Sequence, residues 1–80
     1  MGLEDLPEIC YPEIIQKDRI PVFEKAEISF KDGIELAFVI GKSRGIIYLS
    51  NYGEMIDGQL YIIRPFHFAD ISNIIDYKKI

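Results

Sequence analysis

The chain has one cysteine, Cys10, one histidine, His67, and no tryptophan. A lone cysteine excludes any disulfide within the chain, and with a single histidine beside it there is no tetrahedral ligand set for a structural zinc. Nor does any serine or cysteine sit in a pattern with histidine and carboxylate that would mark a nucleophile and its base, and no paired acids stand out for proton transfer. The expectation is a non-enzymatic protein with no cofactor and no metal.

Long apolar runs are missing too. No segment approaches the ~20 residues that a membrane-spanning helix needs, and the N-terminus lacks the charged and apolar regions of a signal peptide. Leu6 stands where the myristoylation pattern after Met1-Gly2 calls for Ser or Thr. These gaps predict a cytoplasmic protein with no membrane contact. Positive charge is also short: nine Lys and Arg against thirteen Asp and Glu leave a net charge of −4 and a pI near 4.8. The overall field therefore disfavours a phosphate backbone as partner. Glu4, Asp5, Glu8 and Glu13 open the chain with no basic residue among them, whereas Lys42 and Arg44 share one glycine-bounded loop.

What is present is apolar and branched. At 49% hydrophobic and 28% charged the chain can fold, and its bias to Ile, Phe and Tyr suits pleated surfaces better than helices. Heavy use of Ile, Lys and Glu also fits an AT-rich or a thermophilic source. Eighty residues make a single domain, residues 1–80, with an acidic arm or short helix over 1–20 and a β-rich core over 21–80. Pro7, Pro12 and Pro21 break the first part. Pro12 can start a brief helix through Ile14, Ile15 and Gln16, and an extended arm over Ile9 to Ile15 is the alternative.

From Ala26 onward the period is two. Ala26, Ile28 and Phe30 alternate with Glu27, Ser29 and Lys31, and a second run sets Ile34, Leu36, Phe38 and Ile40 on one face. A two-residue Asp32-Gly33 loop would set Phe30 opposite Glu35 and Ser29 opposite Leu36, with the apolar sets on opposite faces, and that register fails. A loop of Lys31, Asp32 and left-handed Gly33, pairing Phe30 with Ile34 and Ile28 with Leu36, unites them. Residues 41–45 read as a turn. Ile46 to Leu49 alternates little and should be central or covered on both faces. Ser50 to Gly58 reads as a connection with an irregular turn near Met55, and Gln59 to Arg64 as a strand that Pro65 ends. In the last segment a helix and a strand both fit, and the poor helix formers favour the strand, with Ile71, Asn73, Ile75 and Tyr77 on one face.

Gly41-Lys42-Ser43 has the ending of a phosphate-binding loop, but Leu36 stands where the motif requires glycine, and the turn joins strands instead of opening a helix. Lys42 and Arg44 are then exposed cations. His67, between Phe66 and Phe68, can stack a base as single-stranded RNA binders do, although a lone histidine is more often structural.

The order of a short helix and bent strands, with Phe30-Lys31-Asp32-Gly33-Ile34-Glu35-Leu36 as a first hairpin and Tyr61-Ile62-Ile63-Arg64 followed by Phe68 and Ile71, resembles the Sm-like small β-barrels. That resemblance implies ring assembly and RNA contact. Of its nucleotide-contacting positions only Arg64 carries over, because Lys42-Ser43-Arg44-Gly45-Ile46 replaces the family's Asp/Asn element and Pro65 its glycine.

The fold class expected is mostly β: a small antiparallel barrel or bent sheet of about five strands with a short N-terminal helical element. The leading function is a protein-interaction or self-assembly module, a homo-oligomer meeting its copy or another protein through Ile47, Leu49, Tyr61 and Ile62. The second is an RNA-binding barrel using Lys42, Arg44, Arg64 and His67. Convergence of the basic residues on one face would favour the second.

Overall fold

The computed structural model describes residues 2–14, 16–63 and 66–80. A 3-10 turn at Leu3–Asp5 and one short helix, α1 (Tyr11–Ile14), precede the strands. These are β1 (Arg19–Pro21), β2 (Glu24–Phe30), β3 (Gly33–Ser43), β4 (Ile46–Ser50), β5 (Glu54–Ile56), β6 (Gln59–Ile63), β7 (His67–Asp70) and β8 (Ile74–Lys79), with a 3-10 turn at Ile71–Asn73 before the last. All strand pairs are antiparallel. They form a large sheet of order β7-β4-β3-β2-β8 and a small one of order β1-β6-β5. The protein is mostly β, as expected, and the sheets stay open instead of closing into a barrel. The two strands matched to the fourth and fifth of the Sm-like pattern, β6 and β7, lie in different sheets.

Two apolar clusters explain this layout, one on each side of the large sheet. Ala26, Ile28, Ala37, Val39, Ile47 and Leu49 face one side, where Leu6 and Tyr77 close over them. On the other side Ile40 and Tyr48 meet Ile14 of α1, Ile20 of β1 and Ile62 of β6. β4 is thus central and covered on both faces, as its unbroken apolar run predicted. The chain crosses between the sheets at Val22 and Phe23, whose amides donate to Leu60 O at 3.0 Å and Val39 O at 2.8 Å.

The β2–β3 register corrects the sequence reading. Phe30 pairs with Gly33, Ala26 with Ala37 and Glu24 with Val39, so the loop is Lys31-Asp32 alone. Gly33, at φ 156°, is not in the left-handed helical region assigned to it. The premise of one shared apolar face was at fault. β3 feeds both clusters, Ala37 and Val39 to one and Phe38 and Ile40 to the other, and this leaves Ile34 and Leu36 71% and 52% exposed. Residues 41–43 extend β3 instead of forming a turn, with Ile40 as the extra residue of a bulge against β4. Residues 54–56 pair with β6 across Asp57-Gly58 and are a strand, not an irregular connection. In the last segment the strand begins only at Ile74, and Ile75 is exposed at a bulge instead of sharing the face of Tyr77.

The N-terminal arm completes the large sheet where β2 runs out. Beyond Val39 the vacated side of β3 is taken by Pro7–Ile9: Lys42 N donates to Pro7 O and Ile9 N to Lys42 O, both at 3.0 Å. Gly41 permits the approach, since a Cβ there would lie 2.7 Å from both Pro7 O and Ile9 Cγ2.

Tyr77 ties the opposite margin of the sheet, its hydroxyl donating to Glu24 Oε2. Burial, that hydrogen bond and the Glu24 charge all raise the phenol above its ordinary pKa near 10. Because the folded pKa is the higher, the contribution is complete below about pH 10 and is lost as pH rises from there. Urea midpoints between pH 9 and 11.5 should fall with pH, and in Tyr77→Phe the fall should be shallower.

Candidate interaction surface

The four residues of the RNA reading do not form a basic face. Lys42 is committed to the fold, its Nζ donating to Leu3 O at 3.0 Å. Arg44 occupies the β3–β4 turn. His67 pairs with Leu49 while Asp70 pairs with Ile46, so the histidine lies at the end of the sheet away from Arg44. There His67 Nε2 is 3.1 Å from Glu35 Oε2, the carboxylate that also accepts from Asn51 Nδ2 at 2.9 Å. Arg64 lies outside the described residues. The strand phase alone could not reveal the Glu35–His67 contact, which joins residues on two strands separated by β4.

The expected interface residues are also placed elsewhere. Ile47, Leu49 and Ile62 are fully buried within the single chain, and Tyr61 is partly buried. β4 is apolar on both faces because it fills both clusters, and Ile62 of β6 fills the second.

Sheet margins are a different matter, since an edge strand presents unpaired amides and carbonyls to any extended chain. Of the four edge strands, β1 and β5 are three residues long, and β1 ends in Pro21, which has no N–H to offer. β8 is blunted three ways. It carries a bulge opposite Ser29 and Phe30, exposed Lys78 and Lys79, and an Asp76 carboxylate that accepts from the Tyr77 amide at 3.0 Å.

β7, four residues long, has no proline or bulge, and its charged residue Asp70 stands at its end. Ile71 N donates to Gly45 O at 2.9 Å and Ala69 pairs with Ile47, which fixes the ladder phase: the odd-numbered residues address β4, while Phe68 and Asp70 turn their main-chain groups outward. Among the described residues no hydrogen bond engages those groups. The Phe68 ring is 61% exposed and rests on Tyr48, with centroids 6.1 Å apart. Phe66 meets Tyr48 edge-on at 6.4 Å, so an aromatic row runs up to the open margin.

On the same side of the sheet, between the N-terminal arm and β4, lies a half-open cleft of about 600 Å³ lined by Ile9, Cys10, Pro12, Ser43, Arg44, Ile46 and Tyr48. Among the described residues no His, Cys, Asp and Glu side chains group closely enough to hold a metal, and no helix is long and apolar enough to cross a membrane. No protein-family model, curated protein or solved structure matches the chain.

Proposed function

We propose that the chain is a non-enzymatic self-assembly module, pairing with a second copy of itself through the open edge of β7. The observation that carries this reading is the outward set of main-chain groups at Phe68 and Asp70, which no described residue covers, beside the exposed Phe68 ring. Two identical antiparallel edges meet about a two-fold axis perpendicular to the sheet, so the numbers of facing residues must sum to an even value, and outward residues must face outward ones. Phe68 opposite the partner's Phe68 meets both conditions and continues the aromatic row across the axis. Centring on Asp70 would set two carboxylates face to face, which is unfavourable, and centring on Ala69 would set each Phe68 opposite an Asp70 and break the aromatic row. A reduced, unpaired Cys10 fits a cytoplasmic setting.

Asp70→Pro isolates the edge. Asp70 has φ −72° and makes no side-chain capping bond, its N–H points away from β4, and proline fixes φ near about −65°. The substitution therefore removes an outward donor without breaking an internal hydrogen bond. In sedimentation equilibrium the wild type should be a dimer at high micromolar concentration, and Asp70→Pro should raise the dissociation constant about tenfold or more with unchanged circular dichroism. Added salt should strengthen the dimer, because each copy carries −4, whereas RNA contact would weaken with salt. A monomeric wild type, or an unaffected Asp70→Pro, would sink the proposal.

A further inference from the structure

We infer that the cleft between the N-terminal arm and β4 is a binding site for an amphipathic carboxylate, an apolar body ending in an anionic head, with Arg44 as the head-group ligand. No β7 residue lines the site, although Ile46 and Tyr48 in its wall pair with Asp70 and Phe68, and the assignment stands whether or not two copies pair. Its volume of about 600 Å³ is that of a small-molecule site, and Ile9, Pro12, Ile46 and Tyr48 supply an apolar floor and wall. Among the described residues Arg44 is the only cation in the lining. No described residue forms a hydrogen bond or ion pair with its guanidinium, so the fork that best matches a carboxylate is unengaged at the cleft's rim. The acidic residues nearest in sequence, Glu8 and Glu13, line the neighbouring cavity on the far side of Ile9 and Cys10 instead.

The backbone gives a second argument, because the fold contains its own control. Arg44-Gly45 has φ values of 53° and 79°, and Asp57-Gly58 has 51° and 81°. Both are two-residue mirror-image turns, whose first position favours Asn, Asp or Gly. The β5–β6 turn uses Asp, as stability dictates. The β3–β4 turn holds an arginine in the same left-handed conformation, against local preference, at the one turn that borders the cleft. A strained residue of that kind points towards a role for its side chain.

The test follows from the same comparison, since Arg44→Asn removes the charge and improves the turn, leaving a folded protein. Calorimetric titration with decanoate and decyltrimethylammonium below their micelle thresholds, and decanol below its solubility limit, separates head group from tail. Decanoate should bind saturably at one site, at least about tenfold tighter than decanol, and the cation should bind no better than the alcohol. Arg44→Asn should bring decanoate down to the level of decanol. Equal binding of acid and alcohol, an unaffected Arg44→Asn, or no saturable binding of decanoate would each overturn the assignment. Asp70→Pro should keep saturable decanoate binding and its preference over decanol, so failure of the dimer and failure of the cleft are read independently.

Discussion

Ile62→Asp should leave the chain without a cooperative fold. Ile62 is fully buried where β6 meets β1, α1 and the large sheet, among Ile14, Ile20, Ile40 and Tyr48. Removing a core isoleucine costs about 2–5 kcal/mol, and an unpaired carboxylate left in its place adds about 3–5 kcal/mol. A chain of eighty residues has about 4–12 kcal/mol in total, so the substitution consumes most or all of it. Circular dichroism should show loss of sheet signal at 25 °C. Ile34→Asp is the control, at a position 71% exposed and opposite Ser29 on the large sheet, and should move stability by no more than about 0.5 kcal/mol. Ile47 is a poorer test, because Lys42 faces it across the ladder and could neutralise an acid placed there. A folded Ile62→Asp with altered mass would return the residue to an interface.

This contrast marks how far the sequence could be read. Strand class came through wherever period-two alternation met turn residues, and the double-sided burial of Ile46 to Leu49 was visible in its missing alternation. Phase was not visible, because alternation locates a face only when the other face is wet. β3 packs on both sides, so Ile34, Leu36, Phe38 and Ile40 gave no clue that the first pair is exposed and the second is not. Asp57-Gly58 was a readable signal of a hairpin between β5 and β6, obscured by the shortness of β5. The open edge was beyond any local reading. That β7 lies outermost depends on a strand order in which residues 67–70 pair with 46–49, and no spacing within either segment encodes that pairing. Arg44 was legible as an exposed cation but not as a cleft residue, because the opposite wall comes from the arm at Ile9 to Pro12.

The arm itself yields the other large effect. Gly41→Ala should detach residues 2–9 from the sheet. The added Cβ would stand 2.7 Å from Ile9 Cγ2, which a rotamer change can relieve, and 2.7 Å from the Pro7 carbonyl, which it cannot. That carbonyl accepts from Lys42 N, so moving it away breaks the pairing at its first bond, and the return bond from Ile9 N to Lys42 O goes with it. Lys42 Nζ then loses Leu3 O, and Leu6, only 4% exposed in the native fold, is drawn out of the core beneath β2, β3 and β4. Exposing one leucine costs about 1.5–3 kcal/mol, a large share of the margin available to a domain this small. The urea midpoint should fall accordingly, and hydrogen exchange at the Ile9 and Lys42 amides should approach that of a free peptide. If the amides remain protected, the arm tolerates the methyl group and its closeness to Gly41 is incidental. If they exchange freely, the same variant should also lose decanoate, because Ile9, Cys10 and Pro12 are the wall that turns the face of Ile46 and Tyr48 into a cleft.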